Sequence, residues 1–387
     1  MNSPPGTSQG GNRIILFANT EWYLWNFRRS LALALRDAGH DVLLISPDGP
    51  YGEKLLGLGL RWQPLPMDRR SLNPLREAWL LLQLVRLFRK ERPALVHGFT
   101  IKCAVYGSLA ARLARVPARV NAVAGMGYVF ISDSPKARLL RPLVRTLLKL
   151  ALGGRNARLI LQNPDDVALF ERAGLVDASQ VRLIPGSGVD CNRFHPGPDR
   201  ETGGRLRVLL PARLLWDKGL AEYVQAARLL RGEGRPIDFL LAGDPDQGNP
   251  AAVPEADVRE WVGQGLVQWL GHVDDMPALL RSVDIVALPS YREGLPKGLI
   301  EAAASGCALV TTNVPGCREV VTHDVDGLLV PVRDGDALAK AIARLQDQPA
   351  LRVRLASAGR HKALEQFDER IVIERTMDVY RELTDGR

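Results

Sequence analysis

Asp284-Ile-Val-Ala-Leu-Pro-Ser-Tyr-Arg-Glu-Gly-Leu-Pro-Lys-Gly-Leu-Ile-Glu301 is the stretch on which the fold turns. Its apolar opening, Asp284 to Ser290, reads as a buried strand. Glu293 to Glu301 then sets two carboxylates around a Gly-Leu-Pro turn and the first turns of a helix. Strand, turn and helix start in that order build a ligand site at the carboxyl end of an α/β sheet. Pro296 suits the first helical position, where its missing N–H is no loss. The N–H groups of that helix start, and its dipole, favour an anion. Glu293 is expected in the loop. Glu301 is expected on the helix, roughly 7–8 Å farther along from Pro296 at about 1.5 Å per residue. Two acceptors around an anion pocket suit a ligand with hydroxyls on both sides of a diphosphate, as in a sugar nucleotide. Taken alone, the stretch reads equally as a solvated helix face with two surface acids.

Outward from it, strand and helix patterns alternate along the chain. Predicted strands cover 13–18, 41–46, 94–97, 118–122, 158–161 and 181–184, with helical patterns over 25–38 and 74–89. A Gly-, Pro- and charge-rich interval follows, and strands resume at 206–210, 237–242, 266–269, 284–288, 308–311 and 327–330. The chain is therefore divided into a flexible lead (1–12), a first α/β domain (13–190), a linker (191–205), a second α/β domain (206–365) and a helix packing back on the first domain (366–387). Two successive βα arrays imply an α/β protein of two doubly wound, Rossmann-like domains facing a cleft.

The bulk properties agree. The 387 residues suffice for two cores, and the apolar fraction of 46% with 24% charged residues is that of a globular protein. A formal net charge of +8 points to an anionic partner: phosphorylated ligand, acidic membrane surface or nucleic acid. No zinc-finger spacing, RNA-binding signature or basic low-complexity tail is present, so no nucleic acid is expected. Four scattered cysteines without a Cys-x-x-Cys pair fit a reducing cytoplasm. The polar, Gly/Pro-rich start reads as a disordered lead and not as a signal peptide. No apolar run reaches the length of a membrane span.

A second cluster, Leu210-Pro-Ala-Arg213-Leu-Leu-Trp-Asp-Lys218-Gly219, closes the first strand of the second half and opens a helix at about Asp217. Its two cations can clamp a diphosphate and stabilise charge developing on a leaving group. Solvated loop cations are the plain alternative. Arg213…Lys218-Gly219, Gly243-Asp244, Gly271-His-Val273, Pro289-Ser290, Glu293-x7-Glu301-Ala302 and Gly306, with Ile184-Pro-Gly-Ser-Gly-Val-Asp190 and Phe194 upstream, together resemble the family 4 retaining glycosyltransferases of the GT-B fold. Asn19-Thr-Glu-Trp-Tyr-Leu-Trp-Asn26, His97-Gly-Phe-Thr-Ile-Lys102, Gly125-Met-Gly-Tyr-Val-Phe130 and Gly243-Asp-Pro-Asp-x-x-Asn249-Pro250 are similar to one bacterial subgroup. That subgroup adds sugars, often N-acetylhexosamines, to undecaprenyl-diphosphate-linked saccharides for O-antigen, capsule or protein-linked glycans.

The resemblance implies a role for each matching residue. Glu301 would bind the ribose hydroxyls and Glu293 the transferred sugar. Gly294, Leu295 and Pro296 would offer backbone N–H or shape, Pro296 having no N–H to give. Arg213 and Lys218 would hold the diphosphate. Val273, beside Gly271, would meet the base through its backbone. Asn19, Thr20, Glu21, Lys102 and Gly125 are the acceptor-side candidates. Many members carry a histidine where this chain has Ala124, and His97 is one candidate replacement, although a strand-end histidine is more often structural. The implied enzyme moves a sugar such as GalNAc or GlcNAc from a UDP-sugar to a polyprenyl-diphosphate-linked glycan, as a cytoplasmic protein peripheral at the inner face of the membrane. The alternatives are another hexose or acceptor, a sugar-nucleotide 2-epimerase, which would need histidines and carboxylates lining the cleft, and a catalytically dead binding subunit.

Three further signals carry two readings each. Asp-x-Asp triplets at Asp244–Asp246, Asp324–Asp326 and Asp334–Asp336 can hold a divalent metal on a diphosphate, but acidic turns are common and a cationic clamp makes a metal unnecessary. None is expected as a cofactor. The basic amphipathic segment from Lys136 to Lys149 can rest on an acidic membrane surface or keep its leucines in the core. The aromatics of Glu21-Trp-Tyr-Leu-Trp-Asn-Phe27 can stack on acceptor or fill the core; Lys102 can meet the acceptor diphosphate or be solvated.

Overall fold

The computed structural model describes residues 12–68, 71, 73–123, 135–197, 204–246 and 248–384, with side chains in the early part of the helix Pro135–Leu152 left aside apart from Pro142. The chain divides into two compact units. One runs to Ser187 and resumes at Val372; the other spans Gly188–Ile371.

The first unit holds a seven-stranded sheet of β1 (Arg13–Phe17), β2 (Asp41–Ser46), β3 (Arg61–Pro64), β4 (Leu95–Phe99), β5 (Ala118–Ala122), β6 (Ala157–Leu161) and β7 (Val181–Leu183), in the order β3-β2-β1-β4-β5-β6-β7. Every pairing is parallel. Parallel strands covered by helices on both faces are buried along their length, and all five residues of β4 and of β5 are buried, including His97, Arg119 and Asn121. Asn73 caps the helix Pro74–Glu91 by accepting from the N–H groups of Leu75 and Arg76, with Pro74 at its first position. Arg92 ends that helix in the left-handed region.

The second unit holds β8 (Leu206–Pro211), β9 (Ile237–Ala242), β10 (Gln268–Trp269), β11 (Ile285–Leu288), β12 (Ala308–Thr312) and β13 (Leu328–Val330), again all parallel, in the order β10-β9-β8-β11-β12-β13. Strand order reverses between β8 and β11. Right-handed crossovers place the covering helices on opposite faces either side of that point, which opens a crevice at the carboxyl ends of β8 and β11.

Three boundaries shift and one strand is added, while the last helix packs on the first unit as expected. Residues 191–205 are not simply a linker, because Cys191 and Phe194 are buried in the second core. The division falls between Ser187 and Gly188, where a Cβ on Gly188 would lie 2.4 Å from the Glu369 Cα. The last helix, Glu369–Thr384, places Val372, Val379, Tyr380 and Leu383 in the first core from Val372 onward. The first helix begins at Glu21, and Leu24–Arg28 is a π-helical turn inside it. Strand β3 has no apolar run; it is an edge strand whose Arg61 pairs with Asp41 and Glu91. Among the described residues no helix is long and apolar enough to cross a membrane.

Candidate functional site

The site is built at the reversal of the second sheet. After β8 the chain turns through Ala212 and Arg213, then through a 3-10 turn, Trp216–Lys218. Gly219 (φ +77°) links this turn to the helix Leu220–Gly232, so the helix opens later than Asp217. A Cβ at Gly219 would lie 2.1 Å from the Pro289 carbonyl oxygen, so the Lys218 turn rests directly on the loop leaving β11. The Tyr291 N–H donates to the Asp217 carbonyl at 2.9 Å and ties the two loops together.

That contact sets Lys218 against Glu293. Lys218 Nζ lies 2.5 Å from Glu293 Oε1, and the Ser290 hydroxyl donates to the same oxygen at 2.7 Å. Both side chains are largely buried, 20% and 11% exposed. The Glu293 N–H donates to the Pro315 carbonyl at 3.2 Å, and Gly316 (φ +83°) packs so closely that a Cβ there would meet the Glu293 and Gly294 carbonyls at 2.6–2.7 Å. The Tyr291 hydroxyl donates to the buried Glu222 carboxylate, 2.9 and 3.1 Å from its two oxygens. Burial, then Glu222, pushes the Tyr291 phenol up to about 12. The Arg333 guanidinium lies 4.8 Å from the centre of the Tyr291 ring.

The helix Lys297–Ala304 points its amino end at this loop. Pro296 precedes its first residue instead of occupying it, and offers no side-chain cap. Gly298 sits under the end of β8, where a Cβ would be 3.2 Å from the Pro211 carbonyl. Leu295 and Pro296 are buried beneath the loop, and Gly294 is half-buried in it. Glu301 lies one turn along, 3.6 Å from Lys297. Burial pushes its carboxyl above the ordinary value, while Lys297 and Arg193 pull it back in part.

Arg213 takes a different partner. Its guanidinium donates to Asp246 at 2.8 Å and is more than half exposed. Asp246 is carried by the loop after β9, whose Gly243 (φ +140°) could not bear a Cβ, since that atom would fall 2.0 Å from the Ala212 carbonyl. The Gly243 N–H donates to the Gly271 carbonyl at 2.7 Å, which brings the loop holding Gly271 and half-buried Val273 alongside. The structure thus brings Lys218 and Glu293 into contact, with Arg213 on a neighbouring loop and Glu301 on the following helix at the same sheet edge, each in an ion pair of its own. Ser290 lay inside a quoted motif, but its bond to Glu293 was not foreseen. Glu222, Asp246 and Arg333 were missed as partners; nothing in local spacing links Glu222 to Tyr291.

The Asp-x-Asp triplets have structural employment. Asp326 accepts from the Thr322 N–H and pairs with Lys362; Asp324 pairs with Arg344; Asp334 caps the helix Gly335–Asp347. Asp336 accepts from Gln225.

In the first unit the acceptor-side candidates are mostly engaged. Thr20 caps the following helix by accepting from the Tyr23 N–H. Glu21 is buried against Gly49, and Asn19 is half-buried just past β1. Lys102 donates to the carbonyls of Asp68 and Ser71 and to Glu77 at 2.7 Å. Gly125 and Ala124 lie outside the described residues. His97 is buried inside β4, its Nδ1 2.5 Å from the Tyr380 hydroxyl. Burial, with Arg28 nearby, holds its imidazole well below the ordinary pKa, so it belongs to the core. Trp25 packs against that core half-buried, while Trp22 is exposed.

Comparison with known proteins identifies the family. Residues 13–163 match the family described as Glycosyl transferase 4-like, and residues 205–348 match Glycosyl transferases group 1. A Campylobacter jejuni protein, N,N'-diacetylbacillosaminyl-diphospho-undecaprenol alpha-1,3-N-acetylgalactosaminyltransferase, is 29% identical, over 95% of this chain and 98% of its own. An Escherichia coli UDP-Gal:alpha-D-GlcNAc-diphosphoundecaprenol alpha-1,3-galactosyltransferase is 26% identical over 82% of each chain. Among solved structures, a Rickettsia africae glycosyltransferase superposes with a TM-score of 0.78 at 18% identity, covering 97% of this chain and 100% of that one. Anabaena Alr3699/HepE, in complex with UDP and glucose, superposes with 0.76 at 22%, covering 95% and 99%. With a family module on each of its two parallel sheets, the chain belongs to the glycosyltransferases of the GT-B fold.

Proposed function

We propose that this glycosyltransferase moves an N-acetylhexosamine, with retention, from a UDP-sugar to an undecaprenyl-diphosphate-linked saccharide. The observation that carries the donor reading is the Lys218–Glu293 contact at the strand-order reversal, beside the amino end of the helix Lys297–Ala304. Anions bind at such a place because N–H groups and the helix dipole converge there. The names of the Campylobacter and Escherichia relatives, both transferases acting on diphospho-undecaprenol-linked sugars, support the acceptor reading.

In this reading Lys218 and Arg213 exchange their carboxylate partners for the donor diphosphate. Glu301 takes the ribose hydroxyls, Glu293 the transferred sugar, and the loops at Gly271–Val273 and Gly294–Pro296 shape the pocket. The acceptor hydroxyl attacks the anomeric carbon on the face from which the diphosphate departs. As the new C–O bond forms, the bond to the leaving phosphate breaks, and a phosphate oxygen takes the hydroxyl proton. Positioning and stabilisation of the departing charge by Lys218 are the catalytic terms. No divalent metal is required, so activity should survive a chelator; complete loss restored by magnesium would overturn this part. Work at the inner face of the cytoplasmic membrane follows from the acceptor, with the basic helix near Lys149 as one contact.

The test is a panel of radiolabelled UDP-sugars with polyprenyl-diphosphate-linked acceptors, reading label in the organic phase and the anomeric configuration of the product. Label transferred from UDP-N-acetylhexosamine with retention supports the proposal. An epimerised nucleotide formed without acceptor, or transfer only to a water-soluble acceptor, refutes it.

A further inference from the structure

The helix Pro74–Glu91 buries Leu80, Leu84, Val85, Leu87 and Phe88 in the first unit. Its opposite side should be polar if it faces only water. Instead Leu75, Trp79 and Leu82 are 82%, 54% and 40% exposed. Their spacing, i, i+4 and i+7, places them on one face, and Arg86 and Arg89 continue the same stripe. The Arg86 guanidinium lies 6.0 Å from the centre of the Trp79 ring.

Charge on this helix is sorted. Both acids turn inward: Glu77 pairs with Lys102, and Glu91 with Arg13 and Arg61. Arg76, Arg86, Arg89 and Lys90 are exposed. The stripe runs into a depression of about 680 Å³ lined by Phe88, Arg89, Arg92, Arg115, Val116 and Leu383 among others, with no acidic residue among the described residues of its lining. Arg92 (φ +46°) and Arg115 (φ +59°) both hold the left-handed conformation that favours glycine. Neither has a carboxylate partner among the described residues. Arg89 also donates to the Leu113 carbonyl, a helix-end contact that leaves Arg92 and Arg115 at the rim.

We propose that this face lies on an anionic bilayer, with Trp79, Leu75 and Leu82 entering the interfacial layer and Arg86, Arg89, Arg92 and Arg115 meeting lipid phosphates. Apolar residues flanked by cations without acids are the pattern of an interfacial helix. A second copy of the chain is the poorer occupant, because a two-fold contact would set these cations against themselves. The contact is independent of the donor chemistry, and it lies on a different helix from the basic segment ending at Lys149.

The test is flotation of the full chain with phosphatidylcholine vesicles, with and without phosphatidylglycerol, at low and high salt. Wild type should float only with the anionic lipid, and less at high salt. Trp79→Glu/Arg86→Glu should lower binding roughly tenfold or more, with an unchanged thermal transition and unchanged turnover of a detergent-soluble acceptor. Arg145→Glu/Lys149→Glu should retain most of the binding. Absence of wild-type flotation, or binding lost only in the second variant, overturns the proposal. A dimer in sedimentation velocity that Trp79→Glu dissolves, without any vesicle effect, reassigns the face to self-association.

Discussion

Neutralising Glu293 and removing Lys218 should move nucleotide affinity in opposite directions. The two are 2.5 Å apart and largely buried. A diphosphate that takes the lysine must compete with this carboxylate and then sit beside its charge. Two like charges about 5 Å apart repel by roughly 3 kcal/mol at an effective dielectric of about 20, before solvent and the Ser290 hydroxyl reduce it. Glu293→Gln should therefore tighten binding of UDP, which lacks the sugar, by about 1–2 kcal/mol, or roughly 5- to 30-fold in Kd. Lys218→Met should weaken it by about 2 kcal/mol, the scale of a lost charge-assisted hydrogen bond. In the double variant no lysine remains to be freed, so the Glu293→Gln gain should shrink to the residual repulsion and the cycle should be non-additive. Turnover should fall in all three, roughly 10²- to 10³-fold for Lys218→Met. Titration calorimetry with UDP and initial rates with donor and acceptor measure both quantities. If Glu293→Gln weakens UDP as Lys218→Met does, the pair is a structural strut and the competition argument fails. A Lys218→Met enzyme at the wild-type rate removes the clamp altogether.

The neighbouring groups give three more tests. Tyr291→Phe leaves the buried Glu222 carboxylate without its donor; it should cost about 1–2 kcal/mol of stability and lower kcat more than it raises KM, and equal changes in kcat/KM and KM would argue against a positioning role. Glu301 has a raised folded-state pKa, so its burial is a penalty that is absent below the ordinary 4.5 and develops as pH rises through that value to the folded one. Glu301→Gln should accordingly be more stable than wild type at neutral pH and lose that advantage on acidification, while binding the donor more weakly; a stability difference independent of pH would contradict the sign. Gly219→Ala places a Cβ 2.1 Å from the Pro289 carbonyl in a left-handed conformation; a loss of at least about 2 kcal/mol with a larger loss of turnover is expected, and wild-type melting would mean that the two loops are not in contact.

What could be read from the sequence was local. The apolar runs of β8, β9, β11 and β12 have few other readings, whereas the order of the strands rests on pairings between distant segments that no local pattern carries. Strand β3 escaped because Arg61-Trp-Gln-Pro64 has an edge strand's composition, with its order supplied by Asp41 and Glu91. The linker was misplaced for a related reason. Polar, proline-rich sequence around Cys191 and Phe194 looks solvent-exposed, but two buried side chains are enough to fix it to the second core.

The two cations show where derivation from sequence ends. Lys218 and Glu293 are 75 residues apart, but each follows a strand bordering the reversal, so the sheet topology itself predicts their meeting. Arg213 also follows β8, which would suit the same acid. It turns instead to Asp246 on the β9 loop. Two glycines decide between these outcomes. Gly219 presses the Lys218 turn onto the β11 loop, and Gly243 presses the β9 loop onto Ala212, beside Arg213. Replacing either glycine would push one cation away from its acid while leaving the strands and the charges in place. Glycine placement therefore sets which carboxylate holds each cation, and in the proposed reading these two backbone contacts decide which acid each of two chemically similar residues, five positions apart, would leave for the diphosphate.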